Sequence, residues 1–240
     1  MRRQRLFWMC AALALVVLCT GPKEGPVAAD AQAEIEEETK YIALTFDDGP
    51  RRITTTRLLD GLRERGASAT FFLIGEQIEA NRDLVERMKA EGHQVGNHTW
   101  GHVRLQGAEA GAILWEVRET DQRLREILGE GTYWLRPPYG LIDQEDRRLI
   151  TVPMAHWSVD SRDWELKNAE KVTRMVLKEA GPGSIILMHD IYPASVDAAL
   201  RIVDALQAQG YWFVTVEELF ALSGAEPQAG ELYSGVDTLR

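Results

Sequence analysis

From Tyr41 onward, short apolar runs alternate with stretches of helical periodicity, and this alternation is what most restricts the fold. The apolar runs cover residues 41–44, 68–74, 94–97, 133–135, 154–159, 184–188 and 211–214. Between them the spacing predicts helices over 54–65, 82–91, 110–128, 168–180 and 195–209, with Leu58, Leu59 and Leu62 forming a typical apolar stripe. Gly66 and Gly92 close the first two helices. Strands separated by helices read as parallel β-α units, so the fold class is α/β. About seven parallel strands can close into a barrel or stay open as a doubly wound sheet, and periodicity does not separate the two. At 240 residues the chain suits one such domain.

Polar residues gather just past the ends of these strands. Asp47-Asp48, His98, Arg136, Asp160 to Asp163 and His189-Asp190 each follow an apolar run. In parallel α/β folds the C-terminal edge of the sheet is where sites are built. The stretch Thr45-Phe46-Asp47-Asp48-Gly49-Pro50 is the most pointed case, because Gly49 and Pro50 break the strand where two carboxylates are adjacent. Carboxylates turned towards one cavity repel each other unless a cation sits beside them. One Asp can bind that cation while the other acts as a base. His98-Thr99-Trp100-Gly101-His102 adds two imidazoles four residues apart, a spacing that a single helical turn would place on one face. With Asp48 they make a two-histidine, one-carboxylate set that leaves coordination positions free for water and substrate. His93, in a helix-ending turn, and His156, inside an apolar run, read as structural.

Five segments, 45–50, 98–102, 136–140, 160–164 and 187–190, resemble in order and spacing the motifs of the polysaccharide deacetylases of carbohydrate esterase family 4. The resemblance spans about residues 41 to 220. It implies a distorted (β/α) barrel with about seven parallel strands and one divalent metal ion, zinc first, with cobalt, iron or nickel able to occupy the same ligands. Carried over position by position, it makes Asp48, His98 and His102 the metal ligands and Asp47 the general base. Arg136 would pair with Asp47, the backbone N–H of Tyr139 would stabilise the oxyanion, and His189, held by Asp163, would protonate the leaving amine. Trp164 and Leu187 would line the pocket for the acetyl methyl group. The segment 141–153 is short and charged where a fuller helix is expected before the fifth strand.

The implied activity is N-deacetylation of GlcNAc-containing polysaccharide, with cell-wall peptidoglycan or chitin oligosaccharide as substrate. The alternatives are an O-acetyl esterase acting on acetylated xylan or wall sugar, and a catalytically inactive sugar-binding module. A formal charge of −10 and a pI near 5.1 argue against nucleic acid as a partner. A monomer is expected.

The N-terminus reads as an export signal. A basic start, Met1-Arg2-Arg3-Gln4-Arg5, precedes an unbroken apolar run from Leu6 to Cys19, too short for a standard membrane span. Ala31-Gln32-Ala33 is a plausible cleavage site and Val27-Ala28-Ala29 a rival, while an uncleaved anchor is the other reading. The expected layout is a signal peptide or anchor over 1–33, a linker over 34–40, the deacetylase domain over 41–222 and a C-terminal tail over 223–240. Both cysteines, Cys10 and Cys19, lie in the leader, so the domain itself has neither disulfide nor thiol chemistry. The protein is expected to be secreted or held in the cell envelope, with no permanent membrane span once the leader is cleaved.

Overall fold

The apolar run at Tyr41 grows, in the computed structural model, into a ten-residue central strand, β1 (Lys40–Gly49). The structure describes residues 39–236, and the expected signal peptide or anchor lies outside the described residues. Ile42, Ala43, Leu44 and Phe46 are almost completely buried, as expected of a strand with neighbours on both edges and covered faces. β6 (Ile185–His189) pairs with one edge of β1. The start of β1 pairs with β7 (Tyr211–Val214) and its end with β2 (Thr70–Leu73).

The main sheet runs β3-β2-β1-β6-β5, where β3 is Gln94–Asn97 and β5 is Val159–Asp160. Beyond β3 the ring continues by single bridges, Asn97 to Leu135 and Leu135 to β4 (Met154–Ala155), and then to β8 (Leu232–Tyr233). All the named strand pairs are parallel. This is the irregular barrel that the resemblance implies. Among the described residues no helix is long and apolar enough to cross a membrane.

The helices cover the outside. α1 (Arg52–Glu64) buries Leu58, Leu59 and Leu62, the stripe read from the sequence. α2 (Gly75–Ile78) is a single turn after β2, followed by α3 (Arg82–Ala90). α4 (Ala110–Leu128) buries Ile113, Leu124 and Leu128, and with them a charged side chain, Glu116. α5 (Asp163–Leu166) and α6 (Ala169–Glu179) lie between β5 and β6, and α7 (Pro193–Gln207) follows β6.

Local departures from the sequence reading have physical causes. The fourth run yields one bridging residue, Leu135, because Pro137 and Pro138 supply no N–H to extend a ladder. The run 154–159 divides into β4, whose pairing with β8 the His156 N–H extends by donating to the Tyr233 carbonyl, and β5, which pairs with β6 in the main sheet. A further helix, α8 (Val216–Ser223), buries Val216, Leu219 and Phe220. The expected tail, which has no core signal in the sequence, contributes β8 and packs Tyr233 and Val236 against a cluster that includes Trp134 and Phe220. The segment 141–153 holds only a short 3-10 turn, Asp146–Leu149.

Candidate active site

The adjacent carboxylates share one cavity because β1 carries a bulge. Asp47 pairs with Phe72 and Gly49 with Leu73, so Asp48 is an extra residue, held at φ 70. On a regular strand Asp47 and Asp48 would point to opposite faces, and the extra residue cancels that alternation. Asp47 is buried and meets Arg136, which is buried completely. Arg136 Nη1 donates to Asp47 Oδ1 at 2.8 Å and to Thr45 Oγ1 at 2.7 Å. Its other donors reach the carbonyls of Ala155 (3.3 Å) and His156 (2.8 Å), and the guanidinium lies 4.1 Å from the Phe72 ring centroid. Burial alone would raise the Asp47 carboxyl. The charges of Arg136, His98 and His189 and the Arg136 hydrogen bond outweigh it and hold Asp47 ionised, below its ordinary value.

Asp48, His98 and His102 converge, each offering one ligand atom, with those atoms all within 4.8 Å of one another. His98 Nε2 is 3.6 Å and His102 Nε2 3.3 Å from Asp48 Oδ1. The histidines do not sit on a helical turn as their spacing suggests. Residues 98–102 form an irregular loop with Thr99 at φ 65 and His102 at φ 56. Hydrogen bonds to groups outside 98–102 override helix geometry there. Thr99 N–H donates to Asn97 Oδ1 at 2.8 Å and Gly101 N–H to Glu116 Oε2 at 2.8 Å. The N–H groups of Gly75 and Glu76 donate to the carbonyls of Thr99 and Trp100. His98 Nδ1 lies 2.7 Å from the Arg136 carbonyl, which accepts its proton and leaves the Nε2 lone pair free for a ligand. Asp48 Oδ1 is buried without a hydrogen-bond partner. Two imidazole nitrogens and one such oxygen fit a divalent ion of the zinc type.

Across the cavity, His189 Nδ1 lies 2.8 Å from Asp163 Oδ1, and the His189 backbone N–H donates to Asp163 Oδ2 at 2.8 Å. Burial alone would lower the His189 pKa. The Asp163 hydrogen bond and charge, with Asp47 and Asp48 beyond it, raise it instead to about 9. The cavity measures about 470 Å³ and is lined by Asp47, Asp48, His98, His102 and His189, with Tyr139, Trp164 and Leu187 around them. Tyr139, at φ 60, sets its ring against His102 with centroids 4.9 Å apart. Ten sequence-predicted residues are thus brought together: eight line the cavity, and Arg136 and Asp163 bond from behind to Asp47 and His189.

Two further cavity residues, Trp157 and Asp160, were missed as site residues. Trp157 lies in the break between β4 and β5, stacked 4.0 Å from His156, and a run read as one strand hides that break. Asp160 did carry a signal, since it opens the segment 160–164. Asp190 turns away from the cavity, fully buried, and accepts a hydrogen bond from Thr55 Oγ1. His93 is structural, accepting the Ala69 N–H, and burial lowers its pKa to about 4.

Comparison with known proteins bears on the family and the fold. The family model for polysaccharide deacetylases matches residues 34–151. The chain is 38% identical over 198 residues to the peptidoglycan-N-acetylmuramic acid deacetylase PdaC of Bacillus subtilis, which covers 82% of this chain and 42% of that protein. The chain spans about two fifths of the length of the curated relatives it matches first. Among solved structures, the T48 deacetylase with substrate is 43% identical with a TM-score of 0.78, covering 82% of this chain and 97% of that one. A family 4 acetyl xylan esterase from Clostridium thermocellum, in complex with a cobalt ion, is 29% identical with a TM-score of 0.78, covering 82% of this chain and 99% of that one.

Proposed function

The chain belongs to the polysaccharide deacetylase family, and on that premise we propose that it is a metal-dependent hydrolase removing N-acetyl groups from GlcNAc-containing polysaccharide, cell-wall peptidoglycan first and chitin oligosaccharide second. The observation that carries this reading is the convergence of Asp48, His98 and His102 beside an Arg136-bound Asp47, with His189 lining the same cavity. In the cell, the enzyme acts on the wall from an exported position.

Asp48, His98 and His102 would hold a divalent ion, zinc by the donor set, which would supply Lewis acidity for the attacking water and the acetyl carbonyl. The rest is work for side chains. Asp47, kept ionised by Arg136, takes a proton from the attacking water. The Tyr139 N–H donates to the oxygen of the tetrahedral intermediate, where charge develops. Trp164 and Leu187 hold the acetyl methyl. His189, protonated through Asp163, gives its proton to the nitrogen as the C–N bond breaks, because an amine anion is too basic to leave unaided. The products are acetate and a free amine on the sugar.

An O-acetyl esterase activity is the second reading, favoured by the 29% identity with an acetyl xylan esterase. The deciding experiment measures acetate released from peptidoglycan, chitopentaose and acetylxylan by metal-loaded protein, with and without chelator. Chelator-sensitive release from peptidoglycan or chitopentaose is expected. Release from acetylxylan alone would shift the assignment to the esterase, and none from any polymer would reject both.

A further inference from the structure

Outside the cavity, the two tryptophans Trp100 and Trp115 form a second aromatic surface that the chemistry above does not use. Trp100 lies between the ligands His98 and His102 in the chain, and Trp115 lies on α4. Their ring centroids are 6.2 Å apart with planes at 68°, an edge-to-face pair. Trp115 is 50% exposed and Val103, the residue after His102, is 39% exposed. Trp100 is partly buried beside Trp115. Leaving the Trp115 indole half in water is unfavourable, and a partner that covers it removes that apolar area from water.

The pair is also held in place. A Cβ at Gly75 would come within 2.6 Å of Trp100 Cε3, so Trp100 packs on a backbone that only glycine provides. The residues next to the two indoles are tied together, since Gly101 N–H donates to Glu116 Oε2 at 2.8 Å and Glu116 is buried. The loop that carries His98 and His102 is thus hydrogen-bonded directly to the helix that carries Trp115. Trp100 lies two positions before His102, so their Cα atoms are at most about 7 Å apart. The aromatic surface is continuous with the ligand loop without entering the cavity.

We propose that Trp100 and Trp115 form a stacking platform for a second sugar of the same glycan chain, beyond the unit that reacts. This rests on the polysaccharide reading above and adds to it a requirement for chain length. A pyranose presents polarised C–H bonds on one face, and these match the electron-rich face of an indole. An uncharged sugar ring also suits an acidic protein surface better than an anionic partner does.

The test compares wild type with Trp115→Ala and Trp115→Phe on di-N-acetylchitobiose and on chitopentaose. Trp115 is exposed, so its removal leaves the core intact. Trp115→Ala should lose roughly three- to tenfold in kcat/KM on chitopentaose through KM, keep its activity on the disaccharide, and recover most of the loss as Trp115→Phe. An equal loss on both substrates, or none on either, overturns the platform. A dimer in wild type that disappears in Trp115→Ala with kinetics unchanged assigns the surface to a second copy and also overturns it. If wild type turns over neither sugar, the function reading fails separately, and chitopentaose binding by calorimetry to wild type and Trp115→Ala still decides the platform: weaker binding to the variant supports it, equal binding or none rejects it.

Discussion

Asp163 is the side chain on which the proton of His189 depends. It accepts both the ring N–H and the backbone N–H of His189, and Trp164 N–H donates to it as well, at 2.9 Å. In metal-free protein His189 should titrate near 9 by NMR, and Asp163→Asn should bring the value down, because burial is then opposed by less charge. The sign for stability follows. The folded pKa is raised above 6.5, so this pair stabilises the fold fully below pH 6.5 and loses that contribution as pH rises through about 9. A His189 titration unmoved in Asp163→Asn would show that the pair does not set it. Arg136 supports a second prediction. Arg136→Leu leaves Asp47 charged and buried beside Thr45 without its hydrogen-bonded cation, and should cost about 3–5 kcal/mol, read as a lower urea midpoint. An unchanged midpoint would mean that Asp47 finds water instead. The ten residues brought together at the cavity were legible in sequence because the proposed reaction dictates their types and order. Trp157 was not, since its place depends on where a strand breaks.

At the scale of elements, the strongest unread signal was Thr215-Val216-Glu217-Glu218. Thr215 accepts the Glu218 N–H at 3.1 Å and Glu218 accepts the Thr215 N–H at 2.8 Å, a reciprocal capping box that starts α8. A Thr followed three residues later by Glu is visible in sequence, but it comes directly after the apolar 211–214 run. Thr215→Ala should cost about 1 kcal/mol in chemical unfolding. A change within error would mean that α8 is held by Val216, Leu219 and Phe220 alone. The long strands and helices were legible because each buries a continuous apolar face. Leu135 and the 154–159 run were harder, since two or three residues carry no period. Their placement comes from hydrogen bonds to distant chain, such as Leu135 N–H to the Pro153 carbonyl and Arg136 N–H to the Asn97 carbonyl. The His98–His102 loop is of the same kind: Asn97, Gly75 and Glu116 shape it, and none of them belongs to the segment 98–102.

For the molecule as a whole, the segment from 224 to 236 is more closely joined to the site than its composition suggests. Met154 N–H donates to the Glu231 carbonyl at 2.8 Å and His156 N–H to the Tyr233 carbonyl at 2.7 Å. The carbonyls of Ala155 and His156 in turn accept two of the Arg136 hydrogen bonds, and Arg136 holds Asp47. The last strand therefore reaches Asp47, the proposed base, through three links: β8 to β4, β4 to Arg136, and Arg136 to Asp47. A chain ending at Ser223 loses the first link and exposes Trp134 and Phe220, which pack against Tyr233. It should unfold at lower temperature and release acetate more slowly. Zinc added to the chelated full-length protein should raise its melting temperature, because an ion that binds only the folded state stabilises it by mass action. The truncated chain should show a smaller rise, since the Arg136 carbonyl also orients His98 at 2.7 Å and a looser Arg136 loosens that ligand. His98→Ala is the control, expected to show little or no rise. If the truncated chain melts with the full-length protein and responds equally to zinc, the three links carry nothing and the segment is the tail that its composition suggests.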